Sequence, residues 1–144
     1  IDLSGVDVAR KILILIRESG YQMEMEQIEN NCFLPDECMQ TNNNEDFFAS
    51  LIKHENHFNQ LLKEAQAKDS RIKFVASFDN GKAAVGLQFI PKESPFYNLE
   101  GKDNIVEFYT DRYVDQPLII KGAGAGAAVT ASGIFADVIR IGNI

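Results

Sequence analysis

The chain has no tryptophan, and only two cysteines and two histidines among its 144 residues. Each scarcity excludes something. Cys32 and Cys38 are too few for a disulfide framework and lack the paired spacing of a zinc site, so both are expected as free thiols in a loop-like stretch, as in the cytoplasm. His54 and His57 stand three apart, a spacing that can bind metal on a helix. Glu55 and Asn56 between them do not make the zinc-protease pattern, and no third ligand is marked, so no metal is expected. Basic residues are also few: 14 Lys and Arg face 21 Asp and Glu, for a net charge of −7. Scattered basic side chains on an acidic chain exclude a nucleic-acid partner, which would need them clustered. No apolar stretch approaches the roughly 20 residues that cross a bilayer, and no secretory signal opens the chain, so no membrane partner is expected. The serines lack a nucleophile-elbow setting.

What remains is an ordinary globular mixture, 45% apolar and 24% charged, at the length of one domain. Apolar periodicity predicts a helix from Val6 to a stop at Gly20, apolar around most of its circumference and therefore largely buried. Met23, Met25, Gln27 and Glu29, with Ile28 and Phe33, predict a short strand ending before Pro35. Thr41 to Glu45 reads as a loop, with Asn44 the expected cap of the next helix. Phe47 to about Lys68 recurs at helical spacing, with a break near Glu55. Arg71 to Phe78 and Lys82 to Ile90 flank Asp79-Asn80-Gly81, which predicts a tight hairpin. Asn104 to Thr110 and Pro117 to Lys121 are expected to extend it, with Asp111, Arg112, Tyr113 and Asp115 as a charged turn. The expected class is α+β: a mainly antiparallel mixed sheet with helices packed on one face, closed by a C-terminal helix.

The densest chemistry lies in the first eleven residues. Ser4 can cap the first helix, and Asp7, three residues later, can complete a capping box at the positive end of the dipole. Asp7 and Lys11 are four apart and share one helix face, and Asp2 lies just upstream of the first turn. Two readings stand at this level. One is a capping acid with an ordinary ion pair worth about 0.2–0.5 kcal/mol. The other is a lysine held beside carboxylates to bind a polar substrate and exchange a proton with its oxygen.

A second feature is Gly122-Ala123-Gly124-Ala125-Gly126-Ala127, glycines after a strand and before a helix. The pattern superficially resembles a dinucleotide-binding turn, but a complete unit needs a second strand and an acidic residue about twenty positions on, for which Ile144 leaves no room. The expectation is a turn that lets backbone approach something closely, followed by a helix with Ala127, Ala131 and Gly133 on a small-residue face. Close packing of that helix on a strand explains the same composition.

The segment Asp2-Leu3-Ser4-Gly5-Val6-Asp7-Val8-Ala9-Arg10-Lys11 closely resembles the signature of homoserine dehydrogenases, in the form found in bifunctional aspartokinase/homoserine dehydrogenase chains. The block from Ile119 to Gly133, and Ser94 to Gly101 before it, resemble later parts of the same enzymes in matching order. The resemblance implies that Lys11 is the acid/base serving the substrate oxygen, that Asp7 helps hold homoserine, and that Asp2 lines the same pocket. It implies that Gly126 lies near the nicotinamide end of NADP or NAD, and that the last helix packs on a nucleotide-binding domain upstream of residue 1. Residues 1–144 would then be the substrate-binding and catalytic domain of an enzyme interconverting L-homoserine and L-aspartate 4-semialdehyde in threonine and methionine biosynthesis. A homodimer joined through the sheet is implied as well. An assembly module without activity of its own is the competing expectation, resting on the apolar residues Val129, Phe135, Val138 and Ile139 of the last helix. An amino-acid sensor fits the architecture but leaves Asp7 and Lys11 unexplained. The polar stretch from Pro35 to Asn44 matches none of these motifs.

Overall fold

The computed structural model describes residues 2–143, with Asp2 described through its backbone only. The chain divides into two compact units, residues 1–97 and 98–144.

In the first unit, a single 3₁₀ turn leads into helix α1 (Val6–Glu18). Ala9, Leu13 and Ile16 recur along one face of α1 and are buried. They meet Met23, Ile28, Ala83 and Val85, with Phe74, Ala76 and Phe78 packed around them. This cluster is the core of the unit. The sequence reading of α1 as buried on most sides is corrected here: Ile14 is 60% exposed, so the helix buries a stripe and leaves its opposite face to solvent.

A three-stranded sheet lies beneath α1 in the order β1-β3-β2, formed by β1 (Ile28–Asn31), β2 (Ser70–Asp79) and β3 (Lys82–Pro91). β2 and β3 are antiparallel in unbroken register from Ser70 opposite Pro91 to Asp79 opposite Lys82. Asn80 at φ 49° and Gly81 at φ 78° close the hairpin, as the sequence predicted, because a two-residue turn with both φ positive matches the twist of the strands. β1 runs parallel to β3, with Ile28 opposite Ala83 and Asn31 opposite Gly86. β1 is shorter than expected. Residues Met25–Gln27 form a 3₁₀ turn closed by a reciprocal capping box between Glu24 and Gln27, which withdraws them from the strand. Arg17 reinforces that turn, its Nε donating to the Met23 carbonyl at 3.0 Å and its Nη2 meeting Glu24 Oε2 at 2.6 Å.

Three further helices follow β1: α2 (Asp36–Met39), α3 (Asn44–Lys53) and α4 (Glu55–Ala67). The cap of α3 is Asn43, whose side chain accepts from the Asp46 amide at 2.8 Å, one residue before the expected Asn44. The break between α3 and α4 falls at His54. Both histidines fasten the segment before α3: His57 Nε2 lies 2.9 Å from the Phe33 carbonyl and His54 Nε2 lies 3.1 Å from Glu37 Oε2. Cys32 and Cys38 are free thiols, and buried Cys38 receives a hydrogen bond from Ser50 Oγ at 3.2 Å. The polar 35–44 stretch is thus an ordered element anchored through α2.

The second unit contains β4 (Asp103–Thr110), β5 (Tyr113–Ala123) and α5 (Ala127–Gly142). β4 and β5 pair antiparallel from Asp103 opposite Ala123, with a register shift between Phe108 and Thr110. They form a two-stranded sheet of their own instead of extending the first hairpin, as the sequence had suggested. Strand periodicity reports which segments are extended, but the choice of edge partner depends on tertiary packing. Asp111 and Arg112 make the turn, while Tyr113 and Asp115 fall within β5. Among the described residues no helix is long and apolar enough to cross a membrane.

Candidate active site

α1 begins at Gly5, which is the N-cap residue at φ 79° with no side-chain cap bond. The expected Ser4 and Asp7 capping box is therefore not formed. Ser4 sits one position too early; its Oγ accepts from the Val6 amide at 3.4 Å. Glycine is required at position 5 on two counts. The left-handed conformation strains any residue with a Cβ, and a Cβ here would stand 2.7 Å from Phe74 Cζ and 2.9 Å from Asn30 Oδ1. The helix start is consequently pressed against β1 and β2.

One turn into α1 the predicted pair is present: Lys11 Nζ lies 2.9 Å from Asp7 Oδ2, and both side chains are 56% exposed. A solvated ion pair at this spacing contributes little to stability, about 0.2–0.5 kcal/mol. Its chemical capacity is larger. An ammonium and a carboxylate held together on an open helix face can bind a zwitterionic small molecule and exchange a proton with it. The side chain of Asp2, the third expected member, lies outside the described residues.

Gly126, expected near a nicotinamide, belongs to the second unit. It is the N-cap of α5 at φ 138° and ψ 146°, and its carbonyl accepts from the Thr130 amide at 3.1 Å. The loop before it is anchored on β4 and the turn leading to it. The Gly124 amide donates to the Lys102 carbonyl at 3.1 Å, and a Cβ on Gly124 would collide with Asn104 Nδ2 at 1.3 Å. A Cβ on Gly126 would meet only Lys102 Nζ, at 3.8 Å. The backbone at Gly126 is thus open to close approach, with the Lys102 ammonium the nearest group. The sequence reading picked out the glycines but not Lys102 or Asn104, which come into contact with the loop through the β4–β5 pairing. Asn30 was missed too, because only the tertiary fold brings β1 against the start of α1.

Among the described residues no group of three or more His, Cys, Asp and Glu side chains could hold a metal ion.

The fold and these features define an α+β domain that presents an acid and lysine pair at the start of a helix laid on a mixed sheet. The chain belongs to the homoserine dehydrogenase family, whose sequence model matches residues 1–139. It is 40% identical over 142 residues to the chloroplastic bifunctional aspartokinase/homoserine dehydrogenase 1 of Arabidopsis thaliana, covering 97% of this chain and 16% of that protein. It is 38% identical over 143 residues to the homoserine dehydrogenase of Schizosaccharomyces pombe, covering 97% of this chain and 38% of that one. A Candida auris protein of unknown function, known from a crystal structure, superposes with a TM-score of 0.89 at 36% identity, covering 99% of this chain and 40% of that one. The chain thus spans well under half the length of each of these relatives.

Proposed function

We propose that residues 1–144 are the substrate-binding and catalytic part of an NAD(P)-dependent homoserine dehydrogenase, with the nucleotide-binding part supplied by sequence outside them. The observation that carries this reading is the Asp7 and Lys11 pair, on an exposed face of α1 in a chain of this family. L-Homoserine and L-aspartate 4-semialdehyde differ by one hydride and one proton, and the nicotinamide cofactor takes or supplies the hydride. As the neutral amine, Lys11 takes the proton of the homoserine hydroxyl in one direction and becomes the ammonium; as the ammonium, it returns a proton to the aldehyde oxygen in the other and becomes the amine. Asp7 anchors the amino-acid end of the substrate, and Asp2 lines the same pocket. Gly126, with Lys102 beside it, receives the nicotinamide end of the cofactor at the start of α5. The reaction serves amino-acid biosynthesis and is assigned to the cytoplasm; the plant relatives are chloroplastic by name.

The test is homoserine-dependent reduction of the cofactor by the full-length enzyme that contains this chain, compared with its Lys11→Ala variant. Turnover should collapse in the variant while cofactor binding persists. Unchanged turnover would remove Lys11 from the chemistry.

A second role, assembly, is favoured by a separate observation. α5 has no buried residue, and Phe135, Val138 and Ile139 are exposed, as are Leu118, Ile119 and Ile120 on β5. Exposed apolar area of this extent marks surfaces that associate. The enzyme would be a homodimer, and a light-scattering mass equal to the monomer at all concentrations would count against that role.

A further inference from the structure

The start of α1 touches residues that carry none of the reacting groups. No side chain caps α1 at Gly5, and the contact of the Val6 amide with Ser4 Oγ is at the outer limit of a hydrogen bond. A shorter bond comes from β1. Asn30 Nδ2 donates to the Ser4 carbonyl at 2.8 Å, across 26 positions of sequence. A carbonyl only accepts, so the NH₂ end of the amide is the end that faces it. The other end, Oδ1, lies 2.9 Å from where a Gly5 Cβ would stand, so the amide lies along the backbone of the turn. On its own strand Asn30 is opposite Val85, one of the most buried side chains of the core. Asn30 therefore connects the rigid centre of the sheet to the turn that launches α1.

We infer that Asn30 is a positioning residue for Asp7 and Lys11: its bond to the Ser4 carbonyl fixes the first turn of α1 and, through it, the place from which the two head groups meet the substrate. The inference rests on the roles proposed above for Asp7 and Lys11. Asp7 is the second residue of α1, where the backbone has few bonds of its own and takes its order from the preceding turn. Lys11 follows one turn later and moves with it. Displacements of about 1 Å at a reacting centre can cost on the order of a hundredfold in rate, so a modest loosening of this turn is kinetically visible.

The experiment uses the full-length enzyme that contains this chain. Asn30→Asp keeps the size of the side chain, removes the donor and turns an oxygen toward the Ser4 carbonyl. Asn30 is exposed, so the variant does not threaten the core. Loosening of the turn predicts a fall in kcat/KM for homoserine of up to about a hundredfold. The KM for the nicotinamide cofactor and the thermal midpoint should stay near their wild-type values. A loss shared equally by both substrates, or one that follows a lowered midpoint, would mean a merely structural residue and overturn the inference, as would wild-type kinetics. Lys11→Ala measured alongside separates the two levels. If Lys11→Ala is fully active, the reading of the site has failed and the positioning role with it. If Lys11→Ala is inactive and Asn30→Asp is normal, the positioning role alone has failed.

Discussion

Substituting Gly5 by alanine tests the packing at the start of α1 directly, because the structure separates its cost into two parts. The first is conformational: a Cβ at φ 79° is in the left-handed region, at about 1–2 kcal/mol. The second is steric. The new Cβ would be 2.7 Å from Phe74 Cζ and 2.9 Å from Asn30 Oδ1, both inside contact distance, and overpacking of this kind costs about 1–3 kcal/mol. Together they predict a destabilisation of about 2–5 kcal/mol. Gly20 provides the comparison. Its φ is 91°, but a Cβ there would have nothing within 4 Å, so Gly20→Ala carries only the conformational part. The lower unfolded-state entropy of alanine applies equally to both variants and cancels in the difference. Equilibrium urea unfolding of the 144-residue chain, with unchanged m values, should show Gly5→Ala costing about 1–3 kcal/mol more than Gly20→Ala. Shortening the opposing ring in Gly5→Ala/Phe74→Leu should recover part of that excess, as a coupling of about 0.5–3 kcal/mol. Equal costs at positions 5 and 20, or additive behaviour of the Gly5 and Phe74 substitutions, would refute the argument that close packing selects glycine here.

Other substitutions test other parts of the account. Ile16→Ala, at a side chain only 1% exposed, should cost about 2–5 kcal/mol by urea unfolding, whereas Ile14→Ala on the solvent face should stay within about 0.5 kcal/mol. Lys11→Ala should leave stability within about 0.5 kcal/mol while abolishing most turnover of the full-length enzyme; a large stability loss would show that the lysine is a structural residue. Gly126→Ala, at φ 138°, should raise the KM for the nicotinamide cofactor in that enzyme more than the KM for homoserine, and a change confined to homoserine would contradict the assignment of Gly126. Gly81→Ala in the hairpin turn should cost about 1 kcal/mol, read from the urea midpoint, because the turn requires positive φ there.

Several local signals in the chain matched the structure. Asn80-Gly81 specifies its hairpin because two consecutive positive φ values are cheap for those residues and for few others. Asp7 and Lys11 meet because residues four apart on a helix must be neighbours. The break at His54 lies next to the expected Glu55, and the α3 cap one residue from the expected Asn44. The capping box at Ser4 was misread because Ser4 and Gly5 are both acceptable cap residues, and what favours Gly5 is the nearness of Phe74 and Asn30. The apolar run of α1 likewise overstated burial, since a single sheet can cover only one stripe of a helix.

The sequence by itself determined the α+β class, the order of the main elements and the acid and lysine pair, all consequences of contacts between residues near one another in the chain. Only the tertiary structure decided that β1 joins β3 and that β4 and β5 form a sheet apart, that Gly5 and not Ser4 begins α1, and that Asn30 reaches back to the Ser4 carbonyl. Those outcomes depend on groups far apart in the chain, Asn30 on Ser4 across 26 positions and β1 beside β3, and no local periodicity carries that information.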